Sequence, residues 1–218
     1  EGRLDMYTGS EIAPGFFAWA IPSGDTTRIG AWSKADMLQG KSPEQLLDTL
    51  MKSRLWTRRF SGCREVGRFC GPVPSGLVSR PLRGRVALFG DAAGLCKPTT
   101  GGGIGPGFTH VEALVPLLLQ RTLGNLTQSG LEARVSKILD PMRKDQLRAR
   151  ALRDAFLTQM DDDELDNVFS VWSKPDVIEL INEVGEIENP IPLGIRMLRE
   201  VPEFRTLARR AVKAVLWG

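Results

Sequence analysis

The chain has 218 residues, of which 42% are hydrophobic and 25% charged, and 29 basic and 26 acidic side chains give a net charge of +3. This composition is ordinary for a folded protein with a core, so it argues against global disorder. The balanced charge predicts no nucleic-acid partner. A single histidine and three cysteines exclude a histidine-based metal site and a disulfide framework, so no metal site is expected.

Targeting and membrane signals are missing from the sequence. No apolar run reaches the roughly 18 residues of a membrane span, and the first ten residues lack the basic-then-apolar pattern of a signal peptide. The sequence therefore predicts a cytoplasmic protein, with peripheral contact with a membrane left open. Because the chain starts without Met and enters strand-like sequence almost at once, we expect it to be a piece of a longer protein.

The first third of the chain is predicted to be rich in β-structure. Two strand-like runs, 16–21 and 26–32, flank the turn sequence PSGD, which predicts a β-hairpin. A further strand followed by a Pro/Gly turn is expected at 60–76. Between them, KSPEQLLDTLMKSRL predicts a helix that Ser42 caps, with Gln45 completing a capping box.

The segment RVALFGDAAGLCKPTTGGGIGPGF, residues 85–108, combines an apolar run, a glycine loop and a helix start. The run 86–89 predicts a short, fully buried strand of a parallel sheet. Asp91 offers a carboxylate to ligand hydroxyls, and its small neighbours let a ligand approach the backbone. The glycines 101–103 lead into a helix whose free N–H groups favour an anion. We interpret the segment as a cofactor cradle; the alternative is a tight strand-to-helix turn with glycines as filler.

The rest of the chain is predicted to be helical. An apolar helix, either kinked by Pro116 or containing it in an early turn, follows the glycines. Asp140-Pro141 is expected to cap a later helix, the acidic run 161–164 to begin another, and residues 188–194 to form a loop. We expect three parts: a β-rich part at 1–84, a strand-loop-helix unit at 85–125 and a helical region at 126–218.

Cysteines and a basic stretch leave alternatives open. Cys96 lies in the glycine segment, where a small buried thiol is favoured over a reactive one. Cys63 and Cys70 are seven residues apart on strand-like sequence, which puts them on opposite faces and argues against a redox pair. The basic stretch 143–153 is either a solvated helix face or a surface that meets lipid phosphates.

The sequence GDAAGLCKPTTGGGI, residues 90–104, resembles the second flavin motif of FAD-dependent oxidoreductases with the p-hydroxybenzoate hydroxylase type of fold. Within that group it is most similar to the geranylgeranyl reductase family. Two further stretches, EIAPGFFAWAIPSGDTTRIGAW and LINEVGEIENPIPLGIRMLREVPEF, are similar to that family's aromatic-x-Trp-x-x-Pro hairpin and to the helical tail of its archaeal members. The resemblance covers about residues 7–216. It implies an α+β or α/β chain, the C-terminal part of an FAD-binding p-hydroxybenzoate hydroxylase-like fold.

The resemblance also implies roles for individual residues. Asp91 would bond the ribityl or pyrophosphate region of FAD, Gly103 and Ile104 would place backbone N–H groups near the flavin ring, and Pro98 would shape the loop against it. The remaining implied FAD-binding residues are Gly90, Ala92, Gly94, Gly101 and Gly102. The implied substrate-binding residues, which would line an apolar isoprenoid cavity, are Phe17, Trp19 and Pro22. Packing of a sheet face is an equal explanation for Trp19.

The implied activity of the complete protein is reduction of C=C bonds in a geranylgeranyl-type isoprenoid or prenyl lipid, with reduced ferredoxin or NAD(P)H as electron donor. No catalytic residue is identified. FAD-dependent monooxygenases, halogenases and electron-transfer dehydrogenases share the flavin motif and stay as alternatives. The GxGxxG fingerprint that holds the ADP half of FAD is missing. This implies either a missing N-terminal dinucleotide-binding half or a truncated module that binds a partner or lipid without its own flavin.

Overall fold

The structure is a computed structural model that describes residues 2–186 and 191–217. It contains both helices and short strands, which confirms the predicted α+β character. The strands are β1 (Asp5–Tyr7), β2 (Ala18–Ser23), β3 (Thr26–Ala31), β4 (Leu82–Arg83) and β5 (Val86–Ala87). The helices are α1 (Pro43–Lys52), α2 (Arg54–Arg59), α3 (Ile104–Thr122), α4 (Gln128–Arg153), α5 (Asp162–Trp172), α6 (Pro175–Val184), α7 (Ile191–Glu200) and α8 (Pro202–Trp217).

The chain divides into two compact units. One unit consists of Glu1–Gly71, Asp154–Val184 and Ile195–Leu207, and the other of Pro72–Arg153, Gly185–Gly194 and Ala208–Gly218. The three-part division by function stays a prediction, because compactness does not assign a function to a segment. Among the described residues, no helix is both long and apolar enough to cross a bilayer.

The predicted hairpin of the first unit is confirmed, with the first strand displaced by two residues and the second one residue shorter than expected. Strands β2 and β3 are joined by the two-residue turn Gly24-Asp25, in which Gly24 has a φ of +58°. A positive φ at the first central residue suits the tight turns that match strand twist. Pro22 lies inside β2, beyond the part that pairs with β1, so its missing N–H interrupts no ladder on that side.

The core of the first unit lies against one face of this sheet. Ala18 and Ala20 alternate inward along β2, and Leu50 of α1 and Trp56 of α2 cover them, all fully buried. The capping box of α1 is confirmed, since the Gln45 N–H donates to Ser42 Oγ (3.2 Å) and the Ser42 N–H donates to Gln45 Oε1 (2.8 Å). Local capping signals therefore set where α1 begins.

Two predictions for segments outside the hairpin and α1 are wrong. The segment 60–76 forms no strand, and Cys63 and Cys70 are both exposed free thiols there, so the strand geometry invoked for them does not exist. Residues 191–194, predicted as loop, begin α7, whereas residues 188–190 of that predicted loop lie outside the described part. The acidic run does begin α5, with a reciprocal capping box between Asp161 and Glu164.

The second unit is built from α3 and α4 around an apolar core. Its buried side chains are Leu77, Leu82, Ala93, Leu95, Leu114, Leu117, Leu131, Val135 and Leu139. The prediction of a fully buried parallel strand at 86–89 is wrong, because only Val86–Ala87 is a strand. That strand pairs antiparallel with β4, and Val86 is 62% exposed. An apolar run cannot reveal whether neighbouring strands exist to bury it.

The proline positions also differ in part from expectation. Asp140-Pro141 caps no helix, because α4 runs through Pro141 without a break. Buried Leu131, Val135 and Leu139 anchor α4 before the proline, and this packing outweighs the lost backbone hydrogen bond. Helix α3 begins at Ile104, so Pro116 lies well inside it rather than in an early turn.

Candidate functional site

The glycine segment forms a closed loop between β5 and α3. After extended Phe89, residues 90–93 make one 3₁₀ turn that Gly94 ends at a φ of +80°. Farther along, the Gly101 N–H donates to the Lys97 carbonyl (2.9 Å) and the Lys97 N–H donates to the Gly102 carbonyl (3.0 Å). These backbone bonds give this part of the segment a defined shape.

Asp91 lies against the start of α3. A Cβ atom added to Gly103 would come within 2.2 Å of Asp91 Oδ1, so only a glycine leaves room for the carboxylate in this position. Gly103 is the N-cap residue of α3 and no side chain caps the helix. A carboxylate beside free N–H groups at the positive end of a helix dipole is electrostatically favourable.

Space next to Asp91 is open. Gly90 has a φ of +53°, and a Cβ atom built there would meet nothing within 4 Å. Asp91, Ala92, Gly102 and Ile104 are exposed, and the last of these is 77% exposed. The structure therefore brings Gly90, Asp91 and Gly103 together at an accessible surface.

Two of the predicted cofactor-binding residues, Gly94 and Pro98, also contribute to the packing of the chain itself. A Cβ atom on Gly94 would come within 2.2 Å of the Gly76 carbonyl oxygen, and the Gly76 N–H donates to the Gly94 carbonyl at 2.9 Å. Gly94 thus lets two backbone segments approach closely. Pro98 is buried, and its carbonyl accepts a hydrogen bond from Arg153 (3.4 Å).

Cys96 is buried beneath this surface. Burial first, and then the hydrogen bond to Asp91 and its negative charge, raise the pKa of the Cys96 thiol to about 12. In the folded loop the thiol is therefore protonated at neutral pH and reacts slowly as a nucleophile. The interpretation of Cys96 as a small buried thiol is confirmed.

The predicted substrate-binding residues lie on β2 or just before it, in the first unit, whereas the glycine segment belongs to the second. Trp19 is half-buried on the face opposite Ala18 and Ala20, and its indole covers Gly30, whose added Cβ would lie 2.3 Å from the ring. Phe17 contacts Trp19 with ring centroids 6.0 Å apart. Pro22, at the far end of this strand, is exposed.

Sequence reasoning missed Trp32 as a member of this aromatic face. Its ring stacks on Phe16 at 3.8 Å between centroids and meets Phe17 edge-on at 6.1 Å. The Trp32 N–H donates to the Phe17 carbonyl (3.0 Å), so the residue follows β3 directly opposite the start of β2. The aromatic residue at the end of the second predicted strand was the available signal.

Sequence reasoning also misjudged the basic stretch 143–153. Arg143, Arg150 and Arg153 donate to backbone carbonyls of the second unit, so these three are neither a solvated face nor a free basic surface. Lys144 and Arg148 are exposed, and Arg148 pairs with Asp145 at 3.5 Å. Arginines seven and three residues apart, which fall on one face of a helix, were the only signal.

His110 is a second buried group that the sequence did not single out. It lies on α3, fully buried, with its ring 5.1 Å from the Phe89 ring between centroids. Neither ring nitrogen has a hydrogen-bond partner within the described residues. Burial lowers the pKa of His110, so the imidazole is neutral at pH 7.

The sequence is similar to curated prenyl reductases. It is 28% identical over 203 residues to the digeranylgeranylglycerophospholipid reductase of Methanothrix thermoacetophila, covering 90% of this chain and 49% of the relative. It is 27% identical over 177 residues to the chloroplastic geranylgeranyl diphosphate reductase of Oryza sativa subsp. japonica, covering 75% of this chain and 37% of the relative. This chain is homologous to the geranylgeranyl reductases. No protein-family model matches it.

The fold agrees with this homology. A geranylgeranyl bacteriochlorophyll reductase-like protein from Thermoplasma acidophilum superposes with a TM-score of 0.67 at 19% identity, covering 95% of this chain and 50% of that protein. The resemblance to geranylgeranyl reductases predicted from the sequence is therefore confirmed. The chain spans about half the length, or less, of these relatives.

Proposed function

We propose that this chain supplies the flavin-ring side of the FAD site, and part of the substrate site, of a reductase of geranylgeranyl-type prenyl lipids. One observation carries the proposal: in a homologue of prenyl reductases, the Asp91 carboxylate lies against Gly103 at the uncapped start of α3, beside open space at Gly90. The corresponding fold would be the C-terminal part of a p-hydroxybenzoate hydroxylase-like flavoprotein.

The residues present fit a flavin nucleotide. An exposed carboxylate can accept hydrogen bonds from the ribityl hydroxyls, and glycine-lined backbone lets a flat ring approach closely. At Gly90 the space is open and the φ of +53° favours glycine, so a ligand can approach the backbone there. A bound flavin would supply the hydride for C=C reduction, which is chemistry that no side chain provides.

The chain's own residues would position a bound flavin and stabilise negative charge on its ring. Asp91 would orient the ribityl chain, and the first-turn N–H groups at Gly103 and Ile104 would stabilise negative charge at their end of the ring. The remaining glycine-segment residues would shape the backbone around it: Gly90, Ala92, Gly94, Pro98, Gly101 and Gly102. The backbone bonds between Lys97 and the glycines 101–102 preorganise this loop.

The hairpin supports a prenyl-chain substrate. Phe17 and Trp19 would line an apolar surface together with Trp32, whose ring meets that of Phe17. Pro22 lies on the other face of β2, at its exposed end, so it is not part of this surface. Such a surface favours an isoprenoid because it contributes apolar area and excludes water. We expect a separate dinucleotide-binding half to hold the ADP part of FAD, and reduced ferredoxin or NAD(P)H to deliver electrons.

The cofactor is tested with the product of the whole gene that contains this chain. We expect a yellow protein with flavin absorbance. We expect the Asp91→Ala variant to bind FAD roughly tenfold or more weakly, since a charge-assisted hydrogen bond is removed. Asp140→Asn, an exposed aspartate on α4, is the matched control and keeps the flavin. A colourless wild-type protein would rule out the FAD site.

The reaction is tested under anaerobic, reducing conditions with digeranylgeranylglycerophospholipid. We expect the product to gain two hydrogens per reduced double bond, as measured by mass spectrometry. If this gain is missing and the same protein hydroxylates or chlorinates a substrate in a parallel assay with oxygen, it belongs to the monooxygenase or halogenase class instead.

A further inference from the structure

Helix α4 presents a polar stripe to the backbone of the glycine segment. We define this polar stripe as Arg143, Gln146, Arg150 and Arg153, which follow one another at intervals of three or four residues. That spacing places all four side chains on one face of the helix. All four bond main-chain atoms within 75–78 or 94–98.

Gln146 joins the two segments with both ends of its amide. Its Oε1 accepts from the Leu77 N–H at 2.8 Å, and its Nε2 donates to the carbonyls of Gly94 (2.8 Å) and Cys96 (3.2 Å). The side chain is half-buried, so these bonds form partly out of water. Among the twenty side chains, asparagine carries the same groups but is one methylene too short to keep this reach.

The arginines of the polar stripe satisfy the neighbouring carbonyls. Arg143 donates to Leu77 (2.7 Å) and Val78 (3.2 Å), and Arg150 donates to Ser75. The two segments share an isolated β-bridge between Ser75 and Leu95 rather than a continuous ladder. Irregular backbone of this kind needs side-chain partners for its polar groups, and α4 provides them.

We propose that Gln146 is the positioning residue of the flavin loop, fixing Gly94–Cys96 on α4 and thereby the direction of Asp91. The connection to Asp91 is direct, because the Asp91 carbonyl accepts from the Gly94 N–H (2.9 Å) while its carboxylate bonds the Cys96 thiol. This proposal rests on the proposed function for its consequence in cofactor binding, but the loop geometry can be tested without a flavin.

The alkylation rate of Cys96 measures how readily the loop opens. In the 218-residue chain carrying Cys63→Ser and Cys70→Ser, Cys96 is the sole thiol, and its 1% exposure makes alkylation by N-ethylmaleimide slow. We expect Gln146→Ala to raise this rate by about tenfold or more, because losing three hydrogen bonds increases local opening. Gln146→Glu has nearly the same shape but loses both donated bonds, so it gives the same result without a cavity.

Lys144→Ala, an exposed position two residues away on α4, is the matched control and leaves the alkylation rate unchanged. Circular dichroism and the unfolding midpoint show whether each variant stays folded. If Gln146→Ala unfolds, the alkylation rate of Gln146→Glu tests the proposal. Alkylation of Cys96 at the control rate in both Gln146 variants would overturn the proposal.

The cofactor arm uses the whole gene product. We expect both Gln146 variants to weaken FAD binding by about tenfold and to shift the flavin potential, whereas Lys144→Ala changes neither. Faster alkylation together with a wild-type protein that lacks flavin would overturn the proposed function and, with it, the flavin role of Gln146. Unchanged FAD affinity in a flavin-containing protein would overturn the positioning role alone.

Discussion

At the scale of single residues, His110 links burial to the pH dependence of stability. Because its folded-state pKa lies below the ordinary value of about 6.5, the unfolded chain binds its proton first as the pH falls. The stabilisation is fully present above pH 6.5 and is lost as the pH falls towards the folded-state pKa. We therefore expect the thermal unfolding midpoint to decrease between about pH 7.5 and 5.5.

The sequence makes this measurement clean, because His110 is the only histidine and no other side chain has an ordinary pKa in that interval. His110→Gln keeps a neutral polar side chain that does not titrate. Its unfolding midpoint should vary less with pH than that of the wild type. Parallel curves for the two proteins would contradict the assignment.

A comparison of alanine substitutions at Gly94 and Gly124 distinguishes the cost of backbone strain from the cost of a steric clash. Both have a φ of +80°, but an added Cβ meets the Gly76 carbonyl oxygen at 2.2 Å in the first case and nothing within 4 Å in the second. We expect Gly124→Ala to lower the free energy of unfolding by about 1 kcal/mol through strain alone. Gly94→Ala should cost about 2–4 kcal/mol, because backbone must also move. Urea titrations measure both, and equal losses would show that the segments of Gly76 and Gly94 separate readily.

At the scale of secondary-structure elements, local signals predicted the structure where the physics is local. The capping box of α1, the helix start at the acidic run of α5 and the turn at Gly24 depend on residues within four positions, and all three form. The strand expected at 86–89 depends on neighbours that its own residues cannot reveal, and only its first two residues form one. Asp91 and Gly103 were assigned to one cofactor cradle because a strand, a glycine loop and a helix start follow one another in the sequence.

The role of Gln146 could not be predicted from the sequence either, because it also depends on residues that are distant in the chain. It lies about 50 residues from the carbonyls that it bonds, so its role exists only after α4 has packed on the glycine segment. The arginines beside it look like an ordinary basic face until that packing is known. The candidate cofactor segment was therefore predictable from local pattern, whereas the groups that hold its shape were not.

Helix α4 also allows a test of Pro141, which the sequence predicted to lie in the first turn of a helix. Pro141 lies inside α4, where it deletes one backbone hydrogen bond, whereas Pro106 is the third residue of α3, where the N–H has no intrahelical partner. We expect Pro141→Ala to raise the free energy of unfolding by about 1–3 kcal/mol. Pro106→Ala should change it by less than about 0.5 kcal/mol. Chemical denaturation checks both, and no gain at Pro141 would mean that α4 has already relieved the strain.

At the scale of the whole molecule, α3 is apolar on two sides. Its inner face carries His110, Leu114 and Leu117, all buried. A second, exposed stripe follows at intervals of three or four residues and consists of Ile104, Phe108, Val111, Val115 and Leu119. Scattered exposed apolar residues are normal, but a continuous stripe marks a surface prone to association.

This stripe predicts how the 218-residue chain behaves in solution. Phe108 is 67% exposed and Leu119 57%, so replacing both with Glu should leave the unfolding midpoint nearly unchanged while placing two charges on the stripe. We expect the double variant to reduce self-association by about tenfold or more, measured by sedimentation, and to reduce binding of an apolar dye. Thr109→Glu with Gln120→Glu adds the same charge at exposed polar positions of the same helix and controls for net charge. If both pairs reduce association equally, charge repulsion rather than the apolar stripe governs it, because only the first pair changes the stripe itself.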